Sequence, residues 1–483
     1  MIKTGISRTQ VQVFAFDERI GSDNDVRFID WFVKHIINSN PGKYALRGQA
    51  RTGAPSYSAS DLLKLYLYGY LNRVSSSRRL ERECHRNIEV CWLLNELAPD
   101  HKTIADFRKD QGELIKTFSA DLRKFLLAQK LVDGAFVAVD GTKIKANASR
   151  DVVVESRVRQ RLARFIGEHA EYLKQMDAND QQEEVDESSV VETLRSKCIT
   201  HEAEIARLNA LLDLLKKNEV TTIAPADPEA RQMKTRSDGI VPGYNVQMCV
   251  DGKHGLIISE EVTTDANDLQ QIESQVLAIE QALGAPATSI AADSGYCNPD
   301  MIERCETLSI GQSHAPLMFV SQPRKQGGLD INGADAVSFI FDAEKKEYRC
   351  SEGKALVLVT TNKKMKNTFA DIYQSKQCEG CRLRELCTGS KVGRYIVRYH
   401  NQQYRDAFAE RMKSTEAKEK MRKRSETDEH VFGTIKIWAG KIPILLRGKA
   451  KVTTEIKLYS AAFNIRRLLN IGVLRNLMNA AVA

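Results

Sequence analysis

The sequence predicts a mixed α/β protein: a mixed-sheet core, split by a long helical hairpin and preceded by a helical domain. Three observations predict this architecture. Residues 58–129 carry apolar side chains at helical spacing. Residues 135–147 and 243–296 instead hold short β-branched runs broken by Gly and Asp. Between these β-rich stretches, residues 151–219 return to helical periodicity.

Residues 1–50 contribute short apolar runs, VQVFAF and FIDWFVKHI, between polar stretches. SASDLLKLYLYGYL then opens on serines suited to cap a helix, with Leu62, Leu63, Leu65, Tyr66 and Leu71 on a broad apolar face. SSRRLERECHRNIEVCWLLNEL, TIADFRKDQ and LIKTFSADLRKFLLAQK predict further helices, which suit either a DNA-binding domain or a plain bundle. AFVAVDGTKIKANA reads as a strand, a turn at Asp140-Gly141 and a second extended stretch.

In the next segment, Val191, Leu194, Cys198, His201, Ile205, Leu208, Leu212 and Leu215 step by three and four, a heptad seam. Val158, Leu162, Phe165, His169, Tyr172 and Met176 match it upstream, with the acidic DANDQQEEVDESS as a turn. An antiparallel helical hairpin follows, with dimerisation as an alternative use of the seam. GYNVQMCVD and GLIISEEVTT predict a β-hairpin, NDLQQIESQVLAIEQAL a helix, TSIAADSGY a buried strand and PDMIERCETL a short helix. Residues 320–405 read as irregular and polar, with short extended pieces (EYRC, ALVLVTT and RYIVRYH) and a cysteine cluster. A charged helix covers about Tyr404 to Glu429, and the last segment reads as an amphipathic helix.

The chain has 483 residues, 42% apolar and 28% charged, ordinary values for a globular protein. Its net charge of +8 is uneven. Residues 391–467 hold 19 Lys and Arg against 8 Asp and Glu, net +11, whereas residues 168–229 are net −9. A basic C-terminal part suits a polyanionic partner or a solvated basic surface. The first ten residues lack the apolar stretch of a signal peptide, and no run reaches the ~20 apolar residues that span a bilayer. These features predict a cytoplasmic protein with reduced thiols and no membrane partner. There is no Walker loop, GxGxxG after a strand, GxSxG or HExxH, so kinase, serine-hydrolase and zinc-protease chemistry have no support.

Three carboxylates could carry chemistry. Asp140 and Asp293 each end an apolar strand and precede small residues; either could instead be a turn carboxylate. Glu429 stands in a cationic run with Arg422, Arg424 and Lys436, and Asp428 is its rival. Mg2+ and Mn2+ prefer such oxygen ligands, and two ions sharing carboxylates can drive in-line attack on phosphorus. Lys143, beside Asp140, suits a phosphate-bearing substrate. Cys350, Cys378, Cys381 and Cys387 form a separate set that could hold structural Zn2+, or remain free thiols; His400 is a weaker ligand candidate.

Six blocks in order carry a family resemblance: PDHKTIADFRK; VAVDGTKIKANASR; GYNVQMCVD; AADSGY; YRC with CEGCRLRELC; and ETDEHVFGTIK with LLRGKAKVTTEIKLYSAAFNIRRLL. Together they resemble bacterial DDE transposases of the insertion-sequence-four-like superfamily, eleven-eighty-two type, over about Ser58 to Leu469. The resemblance implies an RNase H-like core with Mg2+ or Mn2+ held by Asp140 on its first strand, Asp293 on its fourth and Glu429 on a late helix. It implies that Lys436, seven residues after the glutamate, holds transposon-end phosphates. The related signature has Arg and Tyr where this chain has Ser425 and Arg422, and Arg424 stands in by a one-residue shift.

On this reading residues 1–130 form a helical DNA-binding domain, and 131–150 with 220–320 the RNase H-like core. Residues 151–219 are the helical hairpin insertion, 321–405 the Cys-containing insertion, and 406–483 the C-terminal core helices with the glutamate. The implied activity is metal-dependent cleavage and strand transfer at double-stranded terminal inverted repeats and target DNA, by a homodimer or larger assembly at the bacterial nucleoid. The rivals are a metal-dependent nuclease of the same fold and a non-catalytic DNA-binding protein.

Overall fold

The computed structural model describes residues 15–45, 56–180, 188–235, 238–297, 303, 316–321, 338–365, 369–439 and 444–482. The side chains of Asp428, Glu429, His430 and Lys436 lie outside the described ones, as does the helix expected over PDMIERCETL apart from Glu303.

The first part is helical: α1 (Asp25–Asn38), α2 (Ala59–Leu71), α3 (Ser77–Arg86), α4 (Ile88–Leu93), α5 (His101–Asp110) and α6 (Gly112–Ala128). Local chemistry sets their starts. Asn24 Oδ1 accepts from Val26 N–H, Ser58 Oγ from Asp61 N–H, and Asp100 Oδ1 from Lys102 and Thr103 N–H. Each such cap stabilises its helix by about 1 kcal/mol. α2 is buried from Leu62 through Leu71, which makes it the axis of this part.

Next come β1 (Val137–Lys145), β2 (Val153–Val154), α7 (Glu155–Asp180), α8 (Ser188–Lys217), β3 (Thr222–Ile223), β4 (Arg231–Thr235), β5 (Gly239–Asp251), β6 (Leu256–Thr263), α9 (Ile272–Leu283), β7 (Ser289–Ala292) and β8 (Leu317–Val320). The turn expected at Asp140-Gly141 does not exist. β1 runs straight through, with Asp140 opposite Met248 and Gly141 opposite Gln247. Gly141 answers a need for space instead: a Cβ there would lie 2.6 Å from Gln247 Nε2 and 2.8 Å from Asp268 Oδ1.

Across the main sheet the order is β6-β5-β1-β7-β8, with β4 pairing the first half of β5. β5 is antiparallel to β1 and β6, whereas β7 is parallel to β1 and β8 to β7. Alternation along the strands gives two apolar faces. Val137, Val139, Ile290, Ala292, Met318 and Val320 pack into the core shared with the N-terminal helices and α9. Ala138, Ala291 and Phe319 face the other way. α7 and α8 rise from the antiparallel β2–β3 pair and close around Val158, Leu208, Leu211 and Leu215. Both helices run into the acidic stretch read as a turn, so Asp177–Asp180 belong to α7 and Ser188 starts α8.

A second sheet follows, and three of its strands coincide with the extended pieces EYRC, ALVLVTT and RYIVRYH. β9 (Phe339–Asp342), β10 (Glu347–Cys350), β11 (Ala355–Lys364), β12 (Phe369–Gln374) and β13 (Tyr395–Tyr399) pair antiparallel in the order β13-β12-β11-β10-β9. A short helix, α10 (Arg384–Cys387), interrupts the β12–β13 link. The sheet's apolar cluster is built on buried Tyr348, Leu356, Tyr373 and Ile396, too few to print a clear alternation on the sequence.

The chain ends in α11 (Gln402–Lys413), α12 (Thr415–Ala439), α13 (Lys449–Asn470) and α14 (Val473–Val482). The single charged helix expected from Tyr404 breaks at Ser414, whose extended backbone and hydroxyl, accepting from Ala417 N–H, start α12 afresh. Ala417 and Met421 of α12 cover Ala138, Ala291 and Phe319. α13 is not a surface amphipathic helix. It is buried from Val452 to Leu469 almost all round, between the main sheet and the N-terminal helices. Arg108 of α5 reaches Glu455 of α13 at 3.7 Å in that interface, with side chains 4% and 1% exposed. No helix among the described residues is long and apolar enough to cross a membrane.

Candidate active site

β1 and β7 are adjacent parallel strands, with Val139 opposite Ala292. The next residue on each is an aspartate, so Asp140 and Asp293 stand side by side, half-buried, where β7 ends. The backbone holds both carboxylates. Asp140 Oδ1 accepts from Gly141 N–H, and Asp293 Oδ1 from Gly295 N–H, each at 2.8 Å. Asp293 thereby caps the short 3-10 turn Ser294–Tyr296. By alternation, both aspartates belong to the sheet face that carries Ala138 and Ala291, the face α12 covers.

Position along α12 follows from its contacts. Lys420 Nζ donates to Ser289 Oγ at 3.1 Å, beside Phe136 and thus at the start of β1. Val431, farther on, packs with Val246 and Met248, and Met248 lies opposite Asp140. The helix therefore runs the same way as β1. Position 429 of the helix backbone lies between Lys420, near the start of β1, and Val431, near Met248.

A third carboxylate was not anticipated. Asp268, between β6 and α9, accepts from Asn245 Nδ2 and Gln247 Nε2 at 2.7 Å each, and Lys143 Nζ lies 3.6 Å from it. Tyr296 is buried against the same group and donates its hydroxyl to Gln247 Oε1. Burial first, and then the charges of Asp268, Asp140 and Asp293 among others, hold that hydroxyl well above the usual tyrosine range. The three carboxylates thus act on one buried phenol. Lys143 and Gly141 share the opposite face from Asp140, so the Lys143 ammonium serves Asp268.

Of the other cations expected here, Arg422 is exposed on α12 and 3.8 Å from Glu426, and Arg424 is half-buried on the same helix. Glu429 and Lys436 lie on α12, but their side chains are not among those described. Among the described residues no group of three or more His, Cys, Asp or Glu is set to hold a metal ion. The chemistry of the donors nonetheless fits Mg2+ or Mn2+, since two backbone-held carboxylates supply hard oxygen ligands.

The cysteine set lies apart, at one end of the second sheet. Cys350, Cys378, Cys381 and Cys387 line one cavity of about 20 Å³. Burial pushes the Cys387 thiol up, Arg394 lowers it, and Cys378, Cys350 and Cys381 raise it further. His400 is elsewhere, 3.3 Å from Asp371.

Comparison with known families adds two matches. Residues 349–469 match a transposase DDE domain, and residues 14–110 match a transposase domain (DUF772). Over these two segments the chain is similar to transposases. The first match takes in β10–β13 and most of α11–α13, including position 429; Asp140 and Asp293 fall outside both matched segments. No curated protein matches the chain. Among solved structures, a cryo-EM piggyBac transposase synaptic complex with hairpin DNA is similar over 95% of this chain and 82% of that one, at 9% identity. Its TM-score is 0.25, a likeness that carries no argument.

Proposed function

We propose that this chain is a DDE transposase that cleaves insertion-sequence ends and transfers the freed strand through Asp140, Asp293 and Glu429. The observation that carries the reading is the parallel register of β1 and β7, which ends at Val139 opposite Ala292 and sets Asp140 beside Asp293 on the face covered by the helix that bears Glu429. The strand order β6-β5-β1-β7-β8, with β5 alone antiparallel to β1, supports an RNase H-like core. A bound Mg2+ or Mn2+ would polarise the scissile phosphate and activate water or a 3′-hydroxyl for in-line attack. The residues of the chain supply the frame. Asp140 and Asp293 offer fixed carboxylates that need little reorganisation, and Arg422, Arg424 and Lys436 extend a basic helix along which phosphates can lie.

The decisive assay pairs purified full-length chain with duplexes carrying the element's two terminal repeats and a supercoiled target. Joined product that depends on Mg2+ is the expected result. Cleavage without joining would make the chain a nuclease, and binding alone would make it a DNA-binding protein.

Two further outcomes follow within the same assay. Glu429→Gln is expected to lower cleavage by roughly 10³-fold, since an acidic metal ligand contributes several kcal/mol to the transition state. Asp428→Asn should stay within a few-fold of the parent; the reverse pattern would move the ligand by one residue. Asp268 acts through its neighbours as a positioning residue. Asp268→Asn is expected to raise the Mg2+ concentration for half-maximal cleavage about 10-fold or more, the usual effect of losing an outer-shell partner. An unchanged Mg2+ titration would reduce Asp268 to a packing role.

A further inference from the structure

We propose that Cys350, Cys378, Cys381 and Cys387 bind one zinc ion that clasps the second sheet across its middle strand. Cys350 ends β10, Cys378 and Cys381 lie in the β12–β13 link, and Cys387 ends α10. β10 and β12 flank β11, so one ion held by all four sulfurs joins elements that do not pair with each other.

The cysteines are not yet gathered as ligands, but the local backbone sets three of them in tight turns around one cavity. Cys350 sits in a tight turn closed by Gly353 N–H on its carbonyl at 2.8 Å, with Gly353 at φ +73°. Cys378 and Cys381 flank Gly380, at φ +67°, in a second turn. These left-handed positions favour glycine. Arg394 N–H already points at Cys378 Sγ, 3.4 Å away, a bond that favours thiolate. The four thiols are free and face one cavity of about 20 Å³, room for one ion or water. Lys354, Arg384 and Arg394 line the same cavity. A four-thiolate zinc centre carries about two net negative charges, which those cations would balance.

The sheet also needs such a clasp. Its core is four buried side chains, and all but the first two residues of β11 are exposed. A core that small does not normally hold a fold without a crosslink or a metal. On binding, the four thiols release their protons to solvent, and the sulfurs move from their open arrangement to about 2.3 Å from the ion.

The test uses the full chain and does not read DNA cleavage, so its outcome is separate from that of the transposase reaction. About one zinc per chain is expected by elemental analysis after exhaustive dialysis. The double variant Cys378→Ser/Cys381→Ser should lose at least 10-fold of it, whereas Cys297→Ser keeps it. X-ray absorption at the zinc edge of the unmodified chain covers the case in which the double variant fails to fold; four sulfur neighbours are expected. Three results would each overturn the proposal: zinc below about 0.1 per chain, nitrogen or oxygen neighbours, or a disulfide within the set in freshly purified protein.

Discussion

Asp140→Ala is expected to abolish end cleavage, by on the order of 10³-fold or more, while leaving binding to the terminal repeats within a few-fold of the parent. The magnitude reflects what one fixed carboxylate contributes when charge develops on phosphorus, several kcal/mol at 1.36 kcal/mol per tenfold. The selectivity reflects placement. Asp140 is half-buried where β7 ends beside β1, and its carboxylate accepts from its own neighbour, Gly141 N–H. Truncation therefore removes charge without emptying a core site. Gel-shift and cleavage assays on the same preparation separate the two effects. Retained cleavage would sink the assignment of this residue, and lost binding would mean that the variant had disturbed the fold.

Arg108→Ala is expected to destabilise the protein by about 3–5 kcal/mol, because it leaves a buried carboxylate without its cation. Arg108 donates to Tyr70 Oη and to the Ser75 carbonyl and lies 3.7 Å from Glu455. Glu455 meanwhile accepts from Leu445 and Leu446 N–H, at 3.0 and 3.1 Å. Against a total stability of about 5–15 kcal/mol, that loss is large. Urea denaturation followed by circular dichroism measures it, and a loss below 1 kcal/mol would show water reaching Glu455. Arg108→Ala combined with Glu455→Gln should be more stable than Arg108→Ala alone, since the unpaired charge is gone.

The same pair sets a pH dependence. Burial raises the Glu455 carboxyl above its usual range, and Arg108 pulls it back. In the unfolded chain it titrates near about 4.3. With the folded value higher, the stability linked to this group is fully present below that pH and is lost as pH rises through the raised value. Glu455→Gln is expected to flatten the stability profile in that window and nowhere else.

Much of the main sheet and two of its carboxylates were legible in the sequence because apolar strands that end in Asp leave a plain pattern. What could not be read was which strands adjoin. Asp140 and Asp293 are 153 residues apart in the chain, and only the parallel pairing of β1 with β7 brings them together. Asp268 was missed because its surroundings, TTDANDL, look like any polar loop. A signal did exist: Asn245 and Gln247 place two amides on one face of the otherwise apolar β5, and buried amides need partners. Asp140-Gly141 was misread because that dipeptide favours hairpins, whereas the glycine makes room for Gln247 and Asp268. The second sheet was legible only as short extended pieces, not as a sheet, for the opposite reason. Its strands bury so little that alternation is faint, and α13 looked amphipathic because its neighbours on both sides come from distant parts of the chain.

The two long helices α7 and α8 leave and rejoin the body through β2 and β3, where Val153 lies opposite Ile223. Because the exit and the return are neighbouring residues, the core experiences everything between them as a closed loop whose length hardly matters; doubling a flexible loop costs only about 0.6 kcal/mol. Evolution can lengthen, shorten or replace this appendage without retuning the three carboxylates. An experimenter can use the same doorway to graft a fluorescent or affinity module onto the protein.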